Sequence, residues 1–267
     1  MKVARVHMIS LAAEAERRGA AIALLAQMPW PTTLHNARDC RTPEGLAATL
    51  KTIAVSDRTE DVPAGYRPKW RGPLSPGEVG CHASHREVWA EIANADPAEG
   101  MHIVFEDDIA VADVQQLEAF FDQLTGQPEL VYLGYERHEP QKRPTGWAIV
   151  AVAGRLAMAV ASRVMPAKFR GDIRGELLAK RYPKRTAGGM WTAGLHDGTW
   201  GYAVNATGAA KLLALCEPMC LRSDELMNFA IATDQIHALT PPAKLVVPRE
   251  DVASTLFDDR SFRTYTQ

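Results

Sequence analysis

The chain alternates short apolar runs with longer amphipathic ones, a pattern that predicts strands interleaved with helices. Residues 3–11 (VARVHMISL) predict a first strand with a mostly apolar face. Residues 12–27 are Ala-rich, carry Arg17 and Arg18, and predict a helix stopped by Pro29 and Pro31. Residues 32–41 have room for a second strand. Thr42-Pro43-Glu44 is a helix start, and the helix continues over 46–55. Residues 57–76 are polar and proline-rich and predict a surface loop. Ser75-Pro76-Gly77-Glu78 opens a helix that runs through His85 and Trp89 to about Ala95.

Residues 101–105 (MHIVF) predict a buried strand, 114–124 a helix and 129–134 (ELVYLG) another strand. This first half has the spacing of an open parallel sheet with helices between its strands. After Tyr135 the regularity fades. Residues 148–152 and 156–161 look strand-like around Gly154, and 166–185 form a charged insertion. A strand is expected over 198–205, with helices over 207–216 and 224–232, and the tail from Pro241 is polar at its end. No repeat, low-complexity segment or linker interrupts the pattern, so the expectation is one continuous α/β domain over residues 1–267.

Composition narrows the class. Hydrophobic residues make up 46% and charged residues 23% of 267, which excludes collagen, a coiled coil and wholesale disorder. A formal net charge of -2 excludes a generally basic nucleic-acid binder. The four cysteines, Cys40, Cys81, Cys216 and Cys220, make no C-x-x-C pair and read as small buried hydrophobes in a reducing compartment. Arg5, Glu14, Glu16, Arg17 and Arg18 interrupt any secretory leader in the first twenty residues. The longest apolar run, 147–161, is too short to span a bilayer and carries Arg155. A cytoplasmic protein with no transmembrane segment is expected.

The strongest chemical feature is IVFEDDI, residues 103–109, an apolar strand that delivers three carboxylates at its C-terminal end. Ligands bind at that edge in open α/β sheets. In extended backbone Glu106 and Asp108 share one side and Asp107 takes the other. Two such oxygen donors suit a hard divalent cation that also binds a diphosphate, although an acidic turn capping the next helix would look the same. Two other segments stand out. Residues 74–89 (LSPGEVGCHASHREVW) combine Gly77 and Gly80 with a helix start able to cradle phosphate, and there His85 on its own reads as a packed core histidine. Residues 197–213 (DGTWGYAVNATGAAKLL) read as a glycine-punctuated strand, turn and helix.

In order and spacing these segments resemble glycosyltransferase family 25, the lipooligosaccharide galactosyltransferase-like family. The resemblance rests on ISL followed by Arg17-Arg18, on Leu74, Ser75, Gly77, Glu78, Gly80, Cys81, Ser84 and His85, on Glu106-Asp107-Asp108, and on Gly198, Thr199, Gly201 and Tyr202 followed by Gly208, Ala209, Lys211, Leu212 and Leu213. It covers roughly residues 3–226. It implies a GT-A type α/β fold, a mostly parallel Rossmann-like sheet flanked by helices, with residues 1–135 as the nucleotide-sugar-binding half and 136–267 as the acceptor side. It implies a UDP-sugar donor carrying galactose or glucose, a Mn²⁺ or Mg²⁺ ion, and inverting transfer to a hydroxyl of a saccharide, such as a lipooligosaccharide or another surface glycan.

The resemblance assigns Glu106 and Asp108 to the metal and Asp108 to catalysis as well. Ser10, Leu11, Arg17, Arg18, Glu78, Ser84, His85 and Asp107 fall to the donor. Residues 34–39 (LHNARD) loosely match a short nucleotide-contacting motif, which adds Asn36 and Asp39. Inverting transfer also needs a general base. Where the family often has Pro-Val/Ile-Asp, this chain has Arg222-Ser223-Asp224, so Asp224 is the candidate base and a helix N-cap its structural alternative. Asp197 is a weaker candidate.

Residues 166–185 hold Lys168, Arg170, Arg174, Lys180, Arg181, Lys184 and Arg185 against Asp172 and Glu176, a net of +5. This is a solvated charged face, a clamp on donor phosphates or a contact for an anionic acceptor. Two kinds of alternative stay open. One is another enzyme: a glycosyltransferase acting on a hydroxylated nucleic-acid base, or a nucleotidyltransferase or phosphohydrolase using the same carboxylates. The other is a non-catalytic nucleotide-sugar-binding module.

Overall fold

The computed structural model describes residues 1–56, 58, 61, 62, 66, 73–142, 144–164, 174–186 and 189–249. Most of the 57–76 loop, residues 166–173 of the basic insertion (with Lys168, Arg170 and Asp172) and the end of the tail lie outside the described residues.

The first half follows the hydrophobic pattern closely. Strand β1 (Val3–Ser10) leads to helix α1 (Ala15–Leu25), then β2 (Thr32–Asn36) and α2 (Pro43–Leu50). Helix α2 starts where Thr42 accepts the Gly45 amide and Pro43 occupies the first turn. Helix α3 (Pro76–Ala93) has a complete capping box: Ser75 Oγ accepts the Glu78 amide and Glu78 accepts the Ser75 amide. Strand β3 (Met101–Glu106), β4 (Ile109–Val111), α4 (Val114–Gln123) and β5 (Leu130–Glu136) follow.

The second half departs at one place. The run expected to form strands around Gly154 is a single helix, α5 (Trp147–Val164). Six of its apolar residues are alanine, the best helix former, and the apolar residues do not alternate with polar ones. Gly154 is there for close approach rather than for a bend, because a Cβ on it would lie 2.2 Å from Leu178 Cδ2. Leu178 belongs to α6 (Arg174–Ala179), which packs along α5. Among the described residues no helix is long and apolar enough to cross a membrane.

Strands β6 (Lys184–Arg185), β7 (Trp191–Thr192) and β8 (Asp197–Val204) precede α7 (Ala206–Leu215), α8 (Ser223–Ala232), β9 (Ala238–Thr240) and β10 (Val246–Pro248). Eight strands form one sheet in the order β2-β1-β3-β8-β5-β9-β7-β6, and β4 pairs with β10 in a second, small one. The pairings make β7 and β8 the two reversed strands, so the other six run in one direction. The architecture is therefore α/β with a mostly co-directional central sheet flanked by helices.

One core lies between the sheet and α3, α7 and α8, built around Trp89, Tyr132, Tyr202, Leu212 and Met227. The other lies on the opposite face with α1 and α4, around Met8, Ile103, Phe105, Leu117 and Phe121. Buried polar residues sit on the first face too, among them His7, whose pKa burial and its histidine neighbours pull down to about 3.

Gly80 sets the height of α3 above the loop that follows β2. A Cβ there would lie 2.4 Å from the Arg38 carbonyl oxygen and 3.2 Å from the Cys40 nitrogen, both backbone atoms that cannot swing away. Gly80→Ala is expected to destabilise the fold despite alanine's helix propensity. Overpacking costs ~1–3 kcal/mol, and propensity returns at most about 1 kcal/mol. Urea unfolding checks this, and an unchanged or raised midpoint would show that the loop gives way freely.

Candidate functional site

The C-terminal ends of β1 and β3 and the N-terminal end of the reversed β8 meet at one edge of the sheet, and a cleft opens there. Its floor holds Glu106, Asp107 and Asp108. The first turns of α3 and α8 form one wall, with Gly77, Glu78 and Cys81 from α3 and Ser223 and Asp224 from α8. Residues 37–41, after β2, line the cleft as well and pack on α3. Strand alternation ends at Glu106, and Asp107 and Asp108 lie in a turn, so all three carboxylates reach the cleft.

Glu106 is the most strongly held of the three. Its Oε1 lies 3.2 Å from His85 Nε2 and also accepts the Thr199 hydroxyl. Burial pushes its carboxyl pKa up, but those two bonds and the nearby Arg17 charge outweigh burial and hold it below the usual carboxylate value. Behind it stands a polar chain through the core. Trp89 Nε1 donates to the Tyr202 hydroxyl at 2.8 Å, and that hydroxyl is 2.9 Å from His85 Nδ1. Indole can only donate, so the tyrosine proton goes to Nδ1, which leaves Nε2–H to donate to Glu106.

His85 is thus fully buried, as a core histidine would be, and also contacts a cleft carboxylate. Tyr202→Phe is expected to cost about 1–3 kcal/mol by stranding the Trp89 N–H and His85 Nδ1. Equilibrium denaturation measures it, and a neutral result would mean that water or a repacked side chain replaces the hydroxyl.

Asp107 and Asp108 share Arg17. The guanidinium donates to Asp107 Oδ1 and lies 3.4 Å from Asp108 Oδ2. Asp107 Oδ2 and Asp108 Oδ1 are buried with no hydrogen-bond partner in the structure. Burial and the neighbouring Glu106 charge push the Asp108 pKa up to about 7 against the pull of Arg17. Three carboxylates with one arginine between them leave excess negative charge in the cleft floor, and hard oxygen donors of this kind fit a divalent cation.

Asp224 is not the N-cap of α8, a position held by Arg222. It sits in the first turn, where Oδ2 accepts the Gly198 amide at 3.0 Å and Oδ1 the Glu225 amide at 2.8 Å. Burial, with Asp197 adding to it, raises its pKa above the ordinary aspartate value despite both bonds. Asp197 also lines the cleft and is paired with Arg137 at 2.9 Å.

The remaining residues singled out from the sequence divide into two groups. Leu11, Asp39, Glu78 and Ser84 line the cleft. Ser84 Oγ donates to the Gly80 carbonyl and accepts the Arg38 amide at 2.8 Å, so it holds the 37–41 loop in place. Glu78 pairs with Arg222 besides capping α3. Asp39 is bound by Arg41, whose bonds lower its pKa. Ser10, Arg18 and Asn36 do not line the cleft. Ser10 is buried beneath it, Arg18 donates to the Ser10 carbonyl, and Asn36 is exposed at the end of β2.

Several cleft residues gave no signal of their own in the sequence. Arg38 and Arg41 are single basic residues in a short loop. Trp200 is in β8, next to Thr199, which the family resemblance includes without assigning it a role. Cys81 was expected among the inert buried thiols, yet it lies in the cleft wall with one donor atom each of His85 and Glu106 within 4.8 Å. Burial raises its pKa, which keeps the thiol protonated. All four cysteines are free.

Of the basic insertion, Lys180 is tied down by the Ile231 and Ala232 carbonyls and by Asp234, and Arg181 lies over the Trp147 ring. Lys184 and Arg185 are exposed. None of these four lines the cleft.

Relatives share parts of this chain. Inactive glycosyltransferase 25 family member 3 of Mus musculus is 32% identical over 164 residues, which is 58% of this chain and 25% of the mouse protein. The Homo sapiens protein of the same name is 29% identical over 188 residues, 67% of this chain and 30% of its own length. The chain thus spans a quarter to under a third of these relatives. Mouse xyloside xylosyltransferase 1, in its apo form, aligns over 87% of this chain and 70% of its own with 11% identity and a TM-score of 0.36. The family model described as glycosyltransferase family 25 (LPS biosynthesis protein) matches residues 3–227, a span that takes in the capped α3, the Glu106–Asp108 floor and Asp224 together, and the chain belongs to that family.

Proposed function

We propose that this chain is a metal-assisted, inverting hexosyltransferase that moves galactose or glucose from a UDP-sugar to a saccharide hydroxyl. The observation that supports it best is the arrangement of carboxylates. Three stand together on the cleft floor, and Asp224 stands apart on α8, fixed by two backbone amides. Inverting transfer needs this division between a site for the leaving diphosphate and a base for the incoming hydroxyl.

Glu106 and Asp108 are the residues that would hold Mn²⁺ or Mg²⁺. The unpartnered oxygens of Asp107 and Asp108 and the raised pKa of Asp108 fit a cation that relieves carboxylate repulsion. Such an ion, when bound, offsets the charge that builds on the diphosphate. Arg17 keeps Asp107 and Asp108 together, and Arg38 and Arg41 also line the cleft, held by Glu87 and by Asp39 and Glu14. Each Asp224 oxygen accepts one amide and keeps a lone pair. In the reaction Asp224 takes the proton of the acceptor hydroxyl while that oxygen bonds to the anomeric carbon. The bond from that carbon to the diphosphate oxygen breaks, and its electron pair leaves with UDP. The raised Asp224 pKa makes it a stronger base than an exposed aspartate.

The acceptor follows the family description: a saccharide of the lipooligosaccharide or surface-glycan class. A hydroxylated nucleic-acid base is the weaker alternative, since Lys180 and Arg181 are already engaged by the protein's own groups. A non-catalytic binding module is the second reading. Arg17 favours it by occupying part of the space between the floor carboxylates, and the mouse and human relatives are called inactive.

Melting curves with UDP-sugars, with and without Mn²⁺, followed by UDP release on adding oligosaccharide acceptors, separate the readings. A ligand at a hundred times its Kd stabilises by about 2.7 kcal/mol. Stabilisation with acceptor-dependent UDP release supports the transferase. Stabilisation without release under any acceptor supports the binding module, and neither effect removes both.

A further inference from the structure

Outside the cleft, three histidines line up across three neighbouring strands. His7 on β1 is fully buried. Its Nδ1 lies 2.9 Å from Nε2 of His35 on β2, and its Nε2 lies 3.0 Å from Nδ1 of His102 on β3. The His7 and His35 rings stack with centroids 5.1 Å apart. Glu91 reaches them from α3, with a carboxylate oxygen 3.8 Å from His7 Nδ1 and a side chain 53% exposed. One donor atom from each of His7, His35 and Glu91 lies within 4.8 Å of the other two. None of the three lines the cleft.

A buried strand position is ordinarily filled by a hydrophobe, and a buried imidazole is costly unless its nitrogens are engaged. Here each partner of His7 is another imidazole. That arrangement gains little in packing, but it concentrates nitrogen lone pairs beside one carboxylate. Two imidazoles and one carboxylate are a zinc ligand set with a position left for water. The nitrogen donors select a borderline transition metal over Mg²⁺ or Ca²⁺, which take oxygen.

We propose that His7 Nδ1, His35 Nε2 and the Glu91 carboxylate form a zinc-class divalent metal site that ties α3 to β1 and β2, separate from the cleft. His102 is its positioning residue. If His7 coordinates through Nδ1, its Nε2–H donates to His102 Nδ1, the outer-shell bond that fixes tautomer and ring orientation in metal-bound histidines. Without the ion, the same His7 tautomer accepts a proton from His35 Nε2, so coordination asks only that the His35 proton move to Nδ1. Arg5 lies nearby and donates to Thr33 Oγ1, and its charge opposes a cation, while Glu91 and the adjacent Glu87 offset it. Helix α3 also carries Cys81, Ser84 and His85, so occupancy would anchor the helix that builds one wall of the cleft.

The test is calorimetric titration of Zn²⁺ alone into the full chain after chelator treatment. It is run in a Cys81→Ser, Glu106→Gln background that disables the other donor cluster, and in the unaltered chain. The expected result is one Zn²⁺ per chain in that background, undisturbed by excess Mg²⁺. Glu91→Gln and His35→Gln each weaken that ion at least tenfold, and His102→Gln weakens it by roughly 10–100-fold. In the unaltered chain Glu91→Gln removes one bound ion without threatening the core, because Glu91 is half exposed. Substituted Co²⁺ gives visible absorption bands that are lost in His35→Gln. Absence of Zn²⁺ binding in the background chain, or affinity unchanged by Glu91→Gln or His35→Gln, overturns the site.

Discussion

Asp224→Asn is expected to lower turnover by ~10²–10⁴, the range for losing a general base, with UDP affinity nearly unchanged. The substitution must be read against what Asp224 touches. Its two oxygens accept the Gly198 and Glu225 amides. Asparagine keeps the shape but only one acceptor oxygen, so one of the two amides loses its partner at a cost of about 1–3 kcal/mol, and a melting curve taken beside the turnover separates that loss from the loss of basicity. The pH profile adds a second readout. The base works as the carboxylate, so kcat/KM rises with pH through its folded pKa, which burial moves above the ordinary aspartate value. The rising limb therefore sits higher than a free aspartate would place it. Asp197→Asn is the control, because Asp197 lines the same cleft but is paired with Arg137, which weakens it as a base. If the Asp197 variant loses turnover and the Asp224 variant melts early but turns over normally, the roles are reversed and Asp224 is a structural tie between α8 and β8.

What could be read from the sequence was local. The Ser75–Glu78 capping box, the Thr42-Pro43 helix start and the apolar strand ending in Glu106-Asp107-Asp108 are each encoded within a few residues, and each is present. The sheet edge then follows, because parallel β1 and β3 must end together if their hydrophobic faces are to align. What could not be read was contact between distant segments. Nothing near Arg17 says that it lies between Asp107 and Asp108, 90 residues away. Nothing near His85 points to Tyr202, 117 residues on. Both pairings depend on which strands become neighbours, and periodicity leaves that open.

The failure at α5 has a different cause. Residues 147–164 are apolar with few charges, so the alternation of a strand is not marked and polar residues do not outline a helical stripe. Ile149, Val152, Leu156 and Val160 do recur at helical spacing, and they are exposed rather than buried, so the ordinary link between a helical stripe and a core gives no guidance there. The position of Cys81 in the cleft wall is not legible for a related reason. Four scattered cysteines without a pairing pattern look alike, and only the turn of α3 that also faces Ser84 and His85 into the cleft sets Cys81 apart.

Asp108→Asn is expected to separate stability from activity. Turnover falls by ~10²–10³, the scale of one lost preorganised electrostatic contact at the leaving group. Metal-free stability moves the other way. In the folded chain burial and Glu106 raise the Asp108 pKa from 3.8 to about 7, so in that interval the folded state holds a proton that the unfolded chain releases. The unfolded state binding fewer protons means that stability falls as pH rises, from full strength below the unfolded value to its minimum above about pH 7. Asparagine carries no charge to bury. The variant should therefore melt above the parent at pH 8 without metal, match it below pH 4, and lose this part of the decline between them. Mn²⁺ should invert the order, stabilising the parent through the restored carboxylate and leaving the variant nearly unmoved. Melting curves across pH, with EDTA and then with Mn²⁺, measure all of this. A variant that melts below the parent at pH 8 in EDTA would show that the ion pair with Arg17, and not charge repulsion in the cleft floor, governs Asp108. A parent indifferent to Mn²⁺ would remove the ion from the proposed reaction.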